Sequence, residues 1–170
     1  MTKEIDFYFD FISPYAYLAH KKIQLLPKDI KINYKPILLG GLHNLEGITA
    51  PAFIKPKLKH MINDCLLIAK KNNHDFKWNS IFPINSLNIM RGCFDINLST
   101  RDPYIETMFN AYWKYDLDIS KEEILIPILE QCGINKDIFL KKIKDPIIKE
   151  KLKYATKNAH EKEVFGAPTF

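Results

Sequence analysis

The first forty residues carry two apolar patterns in succession. Residues 5–11 form a short run rich in aromatic side chains, and residues 30–37 alternate apolar with polar positions, so both segments predict β-strands. Between them, apolar residues recur at helical spacing over 14–26, and Pro27 ends the pattern. A strand, a helix and a strand in so few residues predict a parallel βαβ unit with a right-handed crossover.

Beyond the second strand the apolar pattern is helical almost to the last residue. We expect residues 38–49 to form a loop, because glycines lie at positions 40, 41 and 47. Helical spacing then predicts helices over residues 58–69, 86–97, 104–115, 120–133, a short one from 135, and 146–160. This stretch is far longer than an ordinary crossover, so the pattern predicts an α/β fold with a helical insertion.

Several of these helices begin at recognisable capping signals. Asp102 before Pro103 predicts a helix that starts at residue 104, and Asp145 before Pro146 predicts the start of the last helix. Ser120, three residues before a glutamate, fits a capping box at the start of the helix over 120–133.

Composition excludes several classes of protein. The 170 residues, of which 46% are hydrophobic, are enough for one buried core. The net charge is +5, but the lysines alternate with acids, as in residues 149–153, so we expect solvated helix faces and no nucleic-acid partner. A mildly basic surface would still attract anionic small molecules.

The sequence predicts neither a metal centre nor a membrane anchor. Its five histidines lack ligand spacing, and no apolar run is long enough to span a bilayer. Cys65, Cys93 and Cys132 each lie in an apolar helical pattern, which favours buried, reduced thiols. The first residues do not resemble a secretory signal, so we expect a cytoplasmic protein.

The junction between the first strand and the first helix carries the clearest chemistry. Ser13 precedes Pro14 at the point where the helical pattern begins, which suits a serine N-cap followed by proline at the first helical position. A plain cap is one interpretation. The other is that the hydroxyl faces an anion held at the positive end of the helix.

The last residues, Val-Phe-Gly-Ala-Pro-Thr-Phe over 164–170, complete a resemblance. Together with the run from Phe9 to Ala19, they resemble the thioredoxin superfamily, in which the catalytic turn at the first long helix faces a loop with a cis-proline. Serine stands at the first position of the usual Cys-x-x-Cys motif. The chain therefore resembles the branch that contains 2-hydroxychromene-2-carboxylate isomerase and kappa-class glutathione transferase. The other matching segments are residues 36–42, Lys57 with Asp64, residues 82–87, and Arg91.

This resemblance implies an α/β, thioredoxin-like fold with a large all-helical insertion. It divides the chain into the first half of the thioredoxin-like domain over 1–50, the insertion over 51–145, and a return to the thioredoxin-like domain over 146–170. Relatives continue past the position of Phe170 with further strands and a helix. We therefore expect the chain as given to be a shortened form, with the C-terminal part of the sheet missing.

The resemblance also implies a glutathione site. Ser13 would be the catalytic residue, because relatives use the equivalent serine to hydrogen bond the glutathione sulfur and stabilise its thiolate. Pro14 and Tyr15 would lie beside the cofactor. Ala167 and Pro168 would hold its cysteinyl part, with the Ala167–Pro168 peptide bond in the cis form.

Three further residues are candidates for binding the substrate: Lys57, Asn85 and Arg91. Each also has a structural interpretation, namely a surface charge for Lys57, a helix cap for Asn85 and an ion pair for Arg91. One departure from the family concerns Ile48. Relatives carry there an asparagine that contacts glutathione or substrate, and isoleucine cannot make that hydrogen bond.

The function implied by the resemblance is that of a glutathione-dependent isomerase of unsaturated aromatic oxo-acids. Two alternatives stay open: a kappa-class-like glutathione transferase, and a non-catalytic binding or scaffold protein with a thioredoxin-like fold. A thiol-disulfide oxidoreductase is disfavoured because no Cys-x-x-Cys pair is present. The resemblance further implies a homodimer, with Phe109, Tyr112 and Trp113 as a candidate interface.

Overall fold

The computed structural model describes residues 3–27, 29–94 and 96–170. Along this part of the chain the elements are β1 (Lys3–Phe9), α1 (Pro14–Ile23), β2 (Ile30–Pro36), α2 (Leu39–Leu45), a 3₁₀ turn (Pro51–Phe53), α3 (Lys55–Lys71), α4 (Leu87–Arg91), α5 (Leu98–Trp113), α6 (Glu122–Gln131), α7 (Lys136–Lys142) and α8 (Pro146–Glu161).

The predicted βαβ unit is confirmed. Strands β1 and β2 pair in parallel, with Phe7 opposite Tyr34. On the opposite edge of β1, Thr169 forms an antiparallel bridge with Tyr8: the Tyr8 N–H donates to the Thr169 carbonyl at 2.9 Å, and the Thr169 N–H donates back at 3.3 Å. The last residues of the chain therefore lie beside the strand that leads to Ser13.

The core joins this sheet to the long helices. Phe9 at the end of β1 and Phe11 just after it pack against Phe109 of α5, with ring centroids 5.8 and 5.0 Å apart. The indole N–H of Trp113 donates to the carbonyl of Phe11 at 2.8 Å. One cluster of buried side chains thus contains residues from all three predicted segments, 1–50, 51–145 and 146–170. The division of the chain into those segments stays a prediction.

The aromatic face of α5 does not supply a dimer interface. Phe109, Tyr112 and Trp113 are all fully buried within the chain. The prediction that this face lies between subunits is wrong, because aromatic rings at helical spacing are used here to build the core of the protomer.

Residues 38–49 were expected to form a loop, and that expectation is wrong because they contain α2. The helix ends in a Schellman motif, in which Gly47 has a φ of +66° and the Ile48 N–H donates to the His43 carbonyl at 3.0 Å. Leu42 is fully buried in a small cluster with Ala159 of α8. Tertiary packing therefore outweighs the low helix propensity of Gly40 and Gly41.

Two predicted helix starts are also wrong. Helix α5 begins after Asn97 and continues through Pro103, so Asp102 is not its cap. The ring of Pro103 removes one hydrogen bond near the first turn, and the buried residues that follow offset that loss. At α6 the Ser120 hydroxyl bonds the Asp118 side chain and caps no helix, since α6 begins at Glu122.

The remaining helix signals behave as predicted at their starts. The Asn135 side chain accepts from the Ile138 N–H at 3.0 Å at α7, and Asp145 accepts from the Ile147 N–H at 2.8 Å at α8. The helix predicted over 86–97 is shorter, ending at Arg91. Cys65, Cys93 and Cys132 are free and buried, as predicted.

Candidate active site

The turn that carries Ser13, at the position predicted for a catalytic turn, links β1 to α1. Ser13 is the N-cap of α1, where its Oγ accepts from the Ala16 N–H at 3.1 Å, and Pro14 occupies the first turn. The Ser13 hydroxyl donates to the Ala167 carbonyl at 2.8 Å. The predicted cap is therefore confirmed, and the hydroxyl also connects the turn to a segment 154 residues away in the sequence.

The segment opposite the turn has the predicted form. The Ala167–Pro168 peptide bond is cis. Ala167 lines the same cavity as Ser13. Within the described part of the chain the Ala167 N–H has no hydrogen-bond partner, so it is available to a ligand.

Asp10 holds three segments of the site together. Its side chain is fully buried and accepts from the Leu39 N–H at 2.8 Å, the Ile12 N–H at 3.2 Å and the Ser86 hydroxyl at 3.0 Å. Burial raises its pKa to about 6, and the three donors oppose that rise. The carboxyl thus fixes the catalytic turn, the start of α2 and the start of α4 relative to one another.

These segments enclose a cavity of about 1430 Å³. That is larger than the roughly 300–1,000 Å³ of a typical site for one small molecule, so the cavity has room for two ligands. Among the described residues that line it there is no acidic side chain, while Lys57, His43 and His60 are present. Apolar side chains make up much of the rest of the wall, among them Ile12, Ile48, Phe53, Met61, Phe82 and Phe165.

The predicted cofactor residues lie mostly on this cavity. Ser13, Pro14, Tyr15 and Ala167 line it, whereas Pro168 is not among the lining residues. The Tyr15 hydroxyl donates to the Asp64 carboxylate at 2.8 Å, and burial together with this bond raises the pKa of Tyr15. Tyr15 therefore shapes the wall as a neutral phenol.

Of the predicted substrate residues, two reach the cavity and one does not. Lys57 is exposed on α3 and lines the cavity, as does Asn85, whose side chain also accepts from the Leu87 N–H at 3.0 Å. Arg91 is absent from the described lining residues. Its guanidinium donates to Asn88 at 3.3 Å and to the Ile143 carbonyl at 3.4 Å, a structural role between α4 and the end of α7.

Ile48 is the last residue of the Schellman motif and lines the cavity. Gly47 turns the chain at the end of α2, and the next side chain, Ile48, lines the cavity while staying 47% exposed. Because the Ile48 side chain is apolar, the cavity wall at this point can pack against a ring of a ligand but cannot hydrogen bond to it.

Reasoning from the sequence missed His43, Phe53, the second cis peptide, Phe82–Pro83, and Asp10, which is bonded to the site from behind. One of them had a signal. Asp10 is an acidic residue between two buried phenylalanines directly before the catalytic turn. A charge at such a position needs partners, and those partners are the groups that form the site.

The described residues contain no group of side chains arranged to hold a metal ion. Within the same ranges, every helix is too short or too polar to cross a membrane.

The family is decided by a match along nearly the whole chain. The sequence model of the DSBA-like thioredoxin domain matches residues 4–170. The chain belongs to this family. The fold is accordingly thioredoxin-like, with helices between the βαβ unit and the cis-proline segment.

Known relatives fall into two enzyme groups. The chain is 27% identical to a protein named 2-hydroxychromene-2-carboxylate isomerase from Sphingobium xenophagum, over 99% of this chain and 88% of that one. It is 23% identical to human glutathione S-transferase kappa 1, over 99% of this chain and 80% of that one. A solved structure of a 2-hydroxychromene-2-carboxylate isomerase superposes with a TM-score of 0.88 at 26% identity, covering 98% and 83% of the two chains.

Proposed function

We propose that this protein is a glutathione-dependent isomerase that acts on an unsaturated aromatic oxo-acid. The observation that carries the proposal is the pairing of Ser13 with Ala167 on a large cavity whose described lining residues include no acidic side chain. The isomerase relatives match nearly the whole chain, which supports the same assignment.

The residues present fit glutathione. Ser13 lies at the N-terminus of α1, where a thiolate is stabilised by the helix and by a hydroxyl donor. The free N–H and the carbonyl of Ala167 suit the backbone of a peptide such as glutathione. At Gly40, which lines the cavity, an added Cβ would meet no atom within 4 Å, so the wall leaves space for a ligand.

When bound, glutathione would supply a thiol that adds to the double bond of the substrate and leaves again after rotation. Ser13 would hold the sulfur as a thiolate, turning its hydroxyl away from the Ala167 carbonyl to do so. The helix terminus favours the anion, and the surrounding apolar wall strengthens that interaction by excluding water.

The apolar side of the cavity would bind the substrate. Phe53 and Phe165 are each 71% exposed at its mouth, as large rings that a substrate ring would cover. Lys57 would pair with the substrate carboxylate, because no acidic residue among the described lining competes for it.

The test measures isomerisation of 2-hydroxychromene-2-carboxylate with and without glutathione. We expect turnover only with glutathione, and a loss of roughly ten- to a thousandfold in Ser13→Ala. Ser80→Ala, at an exposed serine outside the cavity lining, is the control and should keep full activity. Turnover that is independent of glutathione, or a fully active Ser13→Ala, would contradict the proposal.

A kappa-class-like transferase is the second candidate, favoured by the similarity to the human transferase. The two differ in whether the thioether product is released, which mass spectrometry of the products would decide. Failure to bind glutathione at all would favour the scaffold alternative, to which Ile48 points.

Location and assembly follow the same proposal. Three free cysteines among the described residues suit the reducing cytoplasm. A homodimer would have to use a surface other than the buried face of α5. Sedimentation at micromolar concentration tests the assembly, and a monomer alone would contradict it.

A further inference from the structure

His43 differs from the other buried histidine of the protein. His20 bonds both the Tyr34 hydroxyl at 3.0 Å and the Glu106 carboxylate at 2.6 Å. The His43 ring is only 9% exposed and lines the cavity, yet it makes no hydrogen bond within the described chain. Unlike the buried Nε2 of His74, the ring nitrogens of His43 are not sealed from solvent, so a ligand in the cavity can hydrogen bond to them.

The position of His43 is fixed from both ends of α2. Four residues earlier, the Leu39 N–H is bonded to Asp10, which also holds the catalytic turn through Ile12. The Schellman motif holds the other end through the His43 carbonyl itself. Four residues correspond to about 6 Å along a helix, so the ring lies about one helical turn from the residue anchored to the turn of Ser13.

The electrostatic surroundings keep the ring neutral. Burial lowers the pKa of His43 below its ordinary value. Several charged or titratable groups lie around His43. Asp10 accepts from the Leu39 N–H at the start of α2, and Glu46, just after α2, contacts His160 of α8. Lys57 and His60 of α3 line the same cavity. The hydroxyls of Ser13, Tyr15 and Ser86 on the wall already have partners.

We propose that His43 is a catalytic residue that carries the proton between the glutathione sulfur and the carbonyl oxygen of the substrate. This inference rests on the proposed function. His43 first takes the proton of the bound thiol, which leaves the thiolate that Ser13 holds. The sulfur–carbon bond then forms as the electron pair of the double bond moves toward the carbonyl oxygen. The imidazolium then donates that proton to the oxygen. After rotation, His43 takes the proton back as the double bond re-forms and the sulfur–carbon bond breaks, and returns it to sulfur.

The experiment compares His43→Gln with His60→Gln, a histidine that lines the same cavity but is exposed. We expect kcat to fall about a hundredfold in His43→Gln, within the range of lost general acid–base catalysis, and less than threefold in His60→Gln. Glutathione affinity, measured by calorimetry, should change less than threefold in both. Imidazole added to His43→Ala should restore part of the turnover.

Two readouts separate proton transfer from a structural role. In the wild type, kcat/KM should fall as the pH drops through the lowered pKa of His43, and this limb should vanish in His43→Gln while any limb from Asp10 persists. The histidine ring signal that disappears from the NMR spectrum in His43→Gln should shift when S-methylglutathione is added to the wild type.

Each failure has a distinct form. A wild type without glutathione-dependent turnover overturns the proposed function. A wild type with that turnover, combined with a His43→Gln variant within threefold of it or an unchanged pH limb, overturns the role of His43 alone. Equal losses of kcat in His43→Gln and His60→Gln would mean that both rings act only by making the cavity more polar, which also contradicts the proposal.

Discussion

The two sides of the cavity are built in opposite ways. The polar wall, which consists of Ser13, Ser86 and Ala167 with Asp10 buried behind them, is joined by hydrogen bonds. The apolar wall is formed by residues 39–61 of α2, the 3₁₀ turn and the start of α3, apart from polar side chains such as His43 and Lys57, and it exposes side chains such as Ile48 and Phe53. The first wall has little freedom to change, whereas the second can vary its side chains without leaving donors unpaired. We infer that the polar wall determines the cofactor chemistry and the apolar wall the choice of substrate.

The largest expected effect comes from breaking the polar wall at Asp10. In Asp10→Ala three donors lose their buried acceptor, so we expect the free energy of unfolding to fall by roughly 2–4 kcal/mol. Denaturant unfolding measures it. Asp6→Ala, on the strand that precedes Asp10, is the control, because its ion pair with Lys35 spans 3.5 Å and is partly exposed, and it should cost less than about 0.5 kcal/mol. Equal losses in the two variants would mean that Asp10 does not hold the wall together.

The pH dependence of stability sharpens the same point. The Asp10 pKa is about 6 in the folded protein and roughly 3.9 in an unfolded chain. Since the folded state binds this proton more tightly, the contribution of Asp10 is complete below pH ~4 and is lost as the pH rises to about 6, amounting to roughly 1–3 kcal/mol. The difference in unfolding free energy between wild type and Asp10→Asn should therefore change over this window. A constant difference from pH 4 to 7 would contradict the raised pKa.

Sequence patterns predicted the polar wall better than the apolar one, because a pattern can reveal only what neighbouring residues or a known motif determine. Ser13 before Pro14 is a local capping signal, and the Ala167–Pro168 segment resembles a known motif, so both were found. Asp10 and Ser86 meet across 76 positions of sequence, a contact that no local pattern announces.

Errors in the helices have a similar cause. Three glycines, Gly40, Gly41 and Gly47, predicted a loop where α2 forms, and Pro103 predicted a start where α5 continues. In each case the burial of side chains against distant parts of the chain outweighed the low helix propensity of glycine or proline, which costs about 1–3 kcal/mol per residue. His43 was missed for this reason, because only the helix places its ring in the cavity.

A smaller effect is expected from altering the apolar wall at Ile48. Ile48→Asn adds a hydrogen-bonding side chain at the cavity, which should tighten glutathione binding by about 1 kcal/mol, roughly fivefold. Ile138→Asn, at an exposed isoleucine of α7 outside the cavity lining, is the control and should leave the affinity unchanged. Calorimetric titration with glutathione measures both. Unchanged or weaker binding in Ile48→Asn would mean that glutathione does not contact this part of the wall.

The smallest effect concerns Gly40, and it separates ligand binding from stability within the apolar wall. Glycine inside a helix costs roughly 0.5–1 kcal/mol relative to alanine, and a Cβ at Gly40 meets no atom of the protein within 4 Å. Gly40→Ala should therefore raise the free energy of unfolding by up to about 1 kcal/mol. Because the new methyl group would project into the cavity, we expect KM for the substrate to rise. Gly47→Ala is the contrast, since a φ of +66° strains any other side chain and should lower stability by about 1 kcal/mol. A Gly40→Ala variant that gains stability with unchanged KM and glutathione affinity would show that the space at Gly40 is not used by either ligand.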